Sequence, residues 1–360
     1  MRLFQNSGMS GGYRKRLDSI AQKCTTFSAR LAVFLKDRYG ASHFLKPVLD
    51  GDPSAFFTNA DDVQLQRAWA CEHGLAKSVD LKDILLAQIE QHRADVFYNL
   101  DPLRYGSDFV KKLPSCVKKT ICWRAAPSPG ADFSAYDLVV CNFPGIIEEW
   151  RRMGLKSAYF VPAHDPCMDD YAESCDRSID VVFVGTYSRH HSRRNQILEG
   201  VSRLGSRYQV MFCLDRSRLT RLAESPLGVL PGLRGHRRPS AIRRVSSEST
   251  FGVDLYGLLA RSKIVLNAAI DMSGEDRGNM RCFEAMGCGA LLVSDHGRYP
   301  KGMISGETML EYESVAQVAD VLRSALASWP RSSEIAKRGR AMVQSEYSKD
   351  AQWRMFQQLL

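Results

Sequence analysis

Lys263-Ile264-Val265-Leu266-Asn267, then Asp276-Arg277-Gly278-Asn279-Met280-Arg281-Cys282-Phe283-Glu284-Ala285-Met286-Gly287-Cys288-Gly289, then Ala290-Leu291-Leu292-Val293-Ser294-Asp295: the fold is decided by this part of the chain. It reads as strand, loop, helix, tight turn and strand. The first apolar run is short and ends in a polar loop. The helix opens at about Asn279, and Gly287 and Gly289 end it. A second apolar run then closes a parallel βαβ unit. Backbone N–H groups at such a helix start suit a diphosphate. An acid one to two turns further in, here Glu284, can accept hydrogen bonds from a ribose diol.

The wording Gly278-Asn279-Met280-Arg281, Phe283-Glu284-Ala285 and Gly287-Cys288-Gly289 resembles the donor-binding segment of GT-B glycosyltransferases, in the branch that includes spore-maturation-type enzymes. Those enzymes carry an acid, seven intervening residues, and a glutamate just before a small-residue helix end. The resemblance implies that Asp276 lies near the donor sugar and that Glu284 binds the nucleotide ribose. Aspartate at 276 departs from the family's usual glutamate and has a shorter reach. The resemblance further implies two doubly wound, Rossmann-like parallel-sheet domains facing a cleft. An acceptor-binding domain is expected over residues 1–165 and a nucleotide-sugar-binding domain over 166–345. A C-terminal helix over 346–360 is expected to pack back toward the first domain.

Composition fits such a protein. A chain of 360 residues, 44% hydrophobic and 25% charged, accommodates two ordinary soluble domains. No apolar run reaches the length of a membrane span. The start, Met1-Arg2-Leu3-Phe4-Gln5-Asn6, turns polar too soon for a signal peptide and reads as a first strand. The 10 cysteines are scattered without metal-ligand spacing, which predicts reduced thiols in a cytoplasmic protein. A net charge of +9 calls for an acidic partner: phosphorylated small molecules, an anionic inner membrane face or nucleic acid. Arg234, Arg237, Arg238, Arg243 and Arg244 form a local excess in what reads as a loop. Few aromatics interleave there and no nucleic-acid motif occurs, so nucleic acid is not the expected partner.

Strand and helix alternate along the whole chain. Residues 40–62 read as loop, and a single long helix is predicted from about Arg14 to Arg38. Strands are predicted at Asp95–Asn99, Lys119–Trp123, Asp137–Asn142, Ala158–Val161, Asp180–Gly185 and Tyr208–Cys213. Open α/β sheets bind ligands at the carboxyl ends of their strands, so candidates are sought there.

After the strand ending at Val184 come Gly185, Thr186, Arg189 and Arg193. The glycine lets the backbone approach a ligand, and arginine makes paired hydrogen bonds to phosphate. The resemblance implies that Arg189 or Arg193 stabilises the leaving diphosphate. Gly278, Asn279, Met280 and Arg281 match the family's loop whose amides meet the donor. Asn279 alone also reads as a helix cap. On the acceptor side stand Gly11 and Gly12 in a Gly-Ser loop, with Asn99, Asp101, Arg124 and His164. Asp101 would serve as base in an inverting reaction, or simply make an Asx turn before Pro102. The expected activity is metal-independent transfer of a sugar from a nucleotide-diphosphate donor to a glycan, lipid-linked glycan or protein, with no cofactor. The competing readings are a nucleotide-sugar epimerase on the same scaffold and a non-catalytic nucleotide-sugar- or nucleic-acid-binding protein.

Overall fold

The computed structural model describes residues 1–173, 176–188, 191–269 and 274–360. The chain forms two compact units, Met1–Ala163 with Lys349–Leu360, and His164–Ser348.

The first unit is built on six parallel strands: β1 (Leu3–Ser7), β2 (Ala55–Asn59), β3 (Val96–Asn99), β4 (Lys119–Trp123), β5 (Leu138–Cys141) and β6 (Ser157–Tyr159). Their order is β2-β1-β3-β4-β5-β6. β1 is buried along its whole length, as an interior strand of a sheet covered on both faces must be. Phe4, Phe97, Cys122 and Val139 from the sheet pack against Leu85, Ile89, Ile147 and Trp150 from the helices. The last helix, Lys349–Gln357, belongs to this unit. Its Phe356 ring lies 5.0 Å from Tyr98 and 5.7 Å from Phe160. Lys349 Nζ donates to the carbonyls of Ala41 (2.7 Å) and Phe44 (2.8 Å).

Two expectations for this unit need correction. Residues 40–62 are not loop: they hold a 3-10 turn, Ala41–His43, a helical turn, Lys46–Leu49, and the edge strand β2. Five residues between turn formers show no period of their own; pairing with β1 (Leu3 beside Ala55) recruits them. The helix expected from Arg14 to Arg38 is two helices, Gly11–Ile20 and Phe27–Lys36. The buried Arg30 guanidinium explains the break. It meets Asp18 at 2.7 Å, Asp62 at 2.6 Å and Gln64 at 2.9 Å. Along one continuous helix Asp18 and Arg30 would lie about 18 Å apart. Thr26 instead starts a second helix, its side chain accepting from the Ala29 amide.

The second unit also carries six parallel strands: β7 (Ile179–Thr186), β8 (Val210–Asp215), β9 (Ser246–Ser247), β10 (Ser262–Leu266), β11 (Leu291–Asp295) and β12 (Leu310–Tyr312). Their order is β12-β11-β10-β7-β8-β9. The chain runs outward from β7 to β9, then returns to β10 and runs the other way. The switch point therefore lies between β7 and β10, where doubly wound sheets open a crevice for a ligand. The quoted βαβ unit forms as read: β10, the helix Met280–Gly287, then β11 parallel to β10. Val181, Phe183, Phe212, Ile264, Leu266 and Val293 are central to this unit's core. The two short edge strands, β9 and β12, carry too few residues to be read from sequence.

Among the described residues every cysteine is a free thiol, no group of acids, histidines and cysteines is placed to hold a metal, and no helix is long and apolar enough to cross a membrane.

Candidate functional site

At the switch point of the second sheet, β10 ends on Leu266 and the next residue, Asn267, turns its buried side chain toward the start of the helix Met280–Gly287. Asn267 Nδ2 donates to Ser294 Oγ on β11 at 3.0 Å, and Asn267 Oδ1 accepts from Asn279 Nδ2 at 3.2 Å. Asn279 stands at the cap position, yet no side chain caps this helix. Its amide group serves the Asn267–Ser294 cluster instead, so no side chain caps the N–H groups of Met280 and Arg281, and uncapped N–H groups at a helix start suit an anion. Gly278 precedes it at φ 95°, a backbone conformation that favours glycine.

A ring of charge surrounds that helix start. Asp276 is buried and accepts from Arg298 Nε at 2.7 Å. Arg277, also buried, reaches Asp295 at 3.1 Å. Asp295 closes β11, accepts the Ala269 amide at 3.0 Å, and faces Arg193 at 3.6 Å. Arg193 itself is exposed. Its neighbour Arg194 is buried and donates to the Ala268 carbonyl at 3.0 and 2.7 Å, holding the end of β10 in place. Arg189 lies outside the described residues, as do Asp271 and Ser273.

One turn into the helix, Glu284 is buried and paired with Arg281. Burial pushes its carboxyl above the ordinary glutamate range, an effect larger than the opposing pull of Arg281. Nearby Asp165 accepts from Tyr256 Oη at 3.1 Å and from the Cys167 amide at 3.3 Å. His164 is buried beside it; Nε2 lies 3.2 Å from Asp169, which also accepts from Arg340 and Gln344. His164 therefore sits in the second unit, within a polar network under the helix.

On the outer side of β7, Thr186 and Ser188 line an open pocket of about 620 Å³ with His191, Asp215, Ser217 and Arg237. This pocket draws on the basic segment, which is not the loop the sequence implied. Pro231–His236 is a 3-10 helix and Ser240–Arg244 a short α-helix. Arg238 is buried, with Nε 2.6 Å and Nη2 2.8 Å from the two Glu224 oxygens. It is thus a structural ion pair and not part of a basic surface.

The first unit has its own switch point, between β1 and β3. Asn99 ends β3 and is fully buried; its Nδ2 donates to Tyr136 Oη at 2.7 Å and its Oδ1 accepts from Asn6 and from the Asp101 amide. Asn99 thus shapes the crevice from beneath. Asp101 stands above it, packed so close to Gly8 that a Cβ there would fall 3.0 Å from Asp101 Oδ2. Arg104 Nε is 3.4 Å from Asp101 and also pairs with Asp61, which Arg14 reaches at 2.8 Å. Burial and the Asp61 charge raise the Asp101 carboxyl, against Arg104 and Arg124. Arg124 Nε donates to Ser128 Oγ at 2.6 Å. Gly11 and Gly12 open the helix Gly11–Ile20, which Ser10 caps through the Tyr13 amide.

Asp61, Arg104, Arg277, Asp295 and Arg298 were not singled out from the sequence. Asp295 ends a readable strand, where the strand-end rule applies. Asp61 follows β2, which reads as loop, and the arginines are marked only by what they touch.

This architecture is the GT-B fold. The structure aligns with that of HepE from Anabaena in complex with UDP-glucose, at a TM-score of 0.57 and 13% identity, covering 100% of this chain and 99% of that one. It aligns with sucrose-phosphate synthase from Thermosynechococcus elongatus at a TM-score of 0.56 and 12% identity, covering 100% and 98%. An alpha-glucosyltransferase in complex with UDP-glucose and DNA containing an abasic site aligns at 0.59 and 9%, covering 99% and 98%. No curated protein matches the chain in sequence. Residues 232–358 match the family model described as glycosyl transferase-like. The chain has the GT-B fold, and the stretch that matches the glycosyl transferase-like model includes the helix start, Asp276 and Glu284.

Proposed function

We propose that this chain is a glycosyltransferase that moves a sugar from a nucleotide-diphosphate sugar, held by the second unit, to an acceptor held by the first. The observation that carries this reading is the start of the helix Met280–Gly287. It lies at the switch point, has no side-chain cap, and has Gly278 before it and arginines around it. A diphosphate is the group such a site suits. HepE and the alpha-glucosyltransferase, both bound to UDP-glucose, support a donor of that class.

In this reading the N–H groups at Met280 and Arg281 and the Arg193 guanidinium meet the leaving diphosphate. Arg189 is a second candidate for that charge. Glu284 takes the ribose diol, releasing part of its pairing with Arg281. Asp276, held by Arg298, faces the donor sugar. Thr186 and Gly185 line the approach. Charge developing on the leaving group is then met by arginine and backbone dipoles, so transfer proceeds without a metal. Asp101 is the general base if the reaction inverts the anomeric centre, its raised pKa suiting proton uptake nearer neutrality. The acceptor is a glycan, a lipid-linked glycan or a protein. A lipid-linked acceptor would bring the enzyme to an anionic membrane face.

A thermal-shift and hydrolysis screen against UDP-, GDP- and dTDP-sugars tests the proposal. One nucleotide series should raise the melting temperature, and its sugar should be released slowly in the absence of acceptor. If no nucleotide in the panel shifts the melting curve, the donor assignment fails.

A further inference from the structure

We infer that residues 216–238, inserted between β8 and β9, form a surface that docks on an anionic lipid bilayer. The inference deepens the membrane-face element of the proposed function and rests on that element alone, not on the donor assignment. Of the thirteen large apolar side chains that stand exposed among the described residues, five lie here: Leu219, Leu222, Leu227, Val229 and Leu230. Val229 is 70% exposed, which a soluble surface has no reason to favour in such a cluster.

The segment holds these side chains outward because it is itself a built structure. Ser217 caps the helix Arg218–Ala223 by accepting the Thr220 amide at 3.0 Å. Two 3-10 helices follow, Pro226–Val229 and Pro231–His236. The buried Arg238–Glu224 pair ties the last part of the segment to the end of the helix. Gly228 lies so close to that helix that a Cβ would fall 2.0 Å from the Ala223 carbonyl oxygen. The backbone is therefore packed against the helix, with Leu219, Leu222, Leu227, Val229 and Leu230 on its exposed side.

Charge identifies the occupant. Glu224 is the only acid from 218 to 237, and Arg238 engages it. Arg218, Arg221, Arg234 and Arg237 are all exposed. Apolar side chains set among cations match a bilayer interface with anionic headgroups. The segment contains no Phe, Tyr or Trp, so it offers nucleic acid no stacking platform.

Co-sedimentation of the whole chain with phosphatidylcholine vesicles, with and without phosphatidylglycerol, tests the inference. Binding should require phosphatidylglycerol and weaken with salt. The variant R218Q/R221Q/R234Q should bind about tenfold or more weakly. The variant L227S/V229S/L230S should lose the part of binding that survives high salt. Both variants should keep the wild-type melting curve and the wild-type shift with whichever of UDP, GDP and dTDP shifts the wild type, which reports folding and the donor site separately. Absence of binding to phosphatidylglycerol vesicles overturns the inference, as does wild-type binding by both variants. A dimer abolished by the serine variant with vesicle binding unchanged would assign the patch to a second copy of the chain instead. Failure of UDP, GDP and dTDP alike to shift any form would count against the donor reading and leave the lipid reading standing.

Discussion

Glu284 is enclosed one turn into the helix Met280–Gly287, and its carboxyl is raised chiefly by burial. Ionising it inside the fold is therefore disfavoured. Its contribution to stability is present below its unfolded pKa and is lost as pH rises through the raised value. Glu284→Gln should thus gain stability relative to wild type as pH rises from the ordinary glutamate value through the raised one, read from melting temperatures. The same change should weaken nucleoside diphosphate binding by about 1–3 kcal/mol if the carboxylate accepts from the ribose diol. Calorimetry that finds equal affinity would remove Glu284 from the donor site. Asp101 is also raised, by burial first and by Asp61. A base must be deprotonated, so turnover should rise with pH through a midpoint above the ordinary aspartate value, and Asp101→Asn should abolish that limb. A variant that keeps its rate and pH profile would indicate a reaction that needs no base there.

At the scale of elements, the helix Met280–Gly287 is positioned by contact as much as by its own residues. A Cβ on Gly287 would fall 2.4 Å from Met168 Sδ and 2.8 Å from His164 Nδ1. Glycine at 287 therefore does more than end the helix: it lets the segment after Ala163 pass beneath it. Gly287→Ala should destabilise the protein by about 1–3 kcal/mol, the usual range for overpacking, and chemical denaturation measures it. Because the displaced helix carries both Asn279 and Glu284, nucleotide affinity should fall in the same variant. Unchanged stability and affinity would mean that Met168 and His164 yield without moving the helix.

For the whole molecule, the last helix completes the first unit. Phe356 covers Tyr98 and Phe160, and Gln352 Nε2 donates to the carbonyls of Ser42 and Val161 at 3.0 and 2.9 Å. Deleting residues 349–360 should uncover those rings and lower the melting temperature, while the nucleoside diphosphate found by the donor panel still stabilises the second unit. Loss of the nucleotide response with no loss of melting temperature would contradict this assignment of the helix. Activity also bears on the whole molecule: turnover should survive EDTA, since arginines and helix amides face the proposed diphosphate site. Loss on chelation, restored by magnesium or manganese, would show that a cation neutralises the leaving group.

The sequence determined the βαβ unit around Glu284 because its signals are local. Two short apolar runs, a glycine at φ 95° and a Gly-Cys-Gly turn each act within a few residues. The doubly wound class followed from the alternation of strand and helix for the same reason. Three things lay outside its reach. β2, β9 and β12 are edge strands of a few residues, given their form by pairing with neighbours rather than by any period of their own. The break over residues 21–26 depends on Arg30 finding Asp18 and Asp62 across space. The split of the arginine cluster, with Arg238 inside against Glu224 and Arg237 at a pocket rim, depends on how the chain packs after residue 216. Local backbone preference is written residue by residue; which charges are buried together, and which strands find an edge, is fixed only when distant parts of the chain meet.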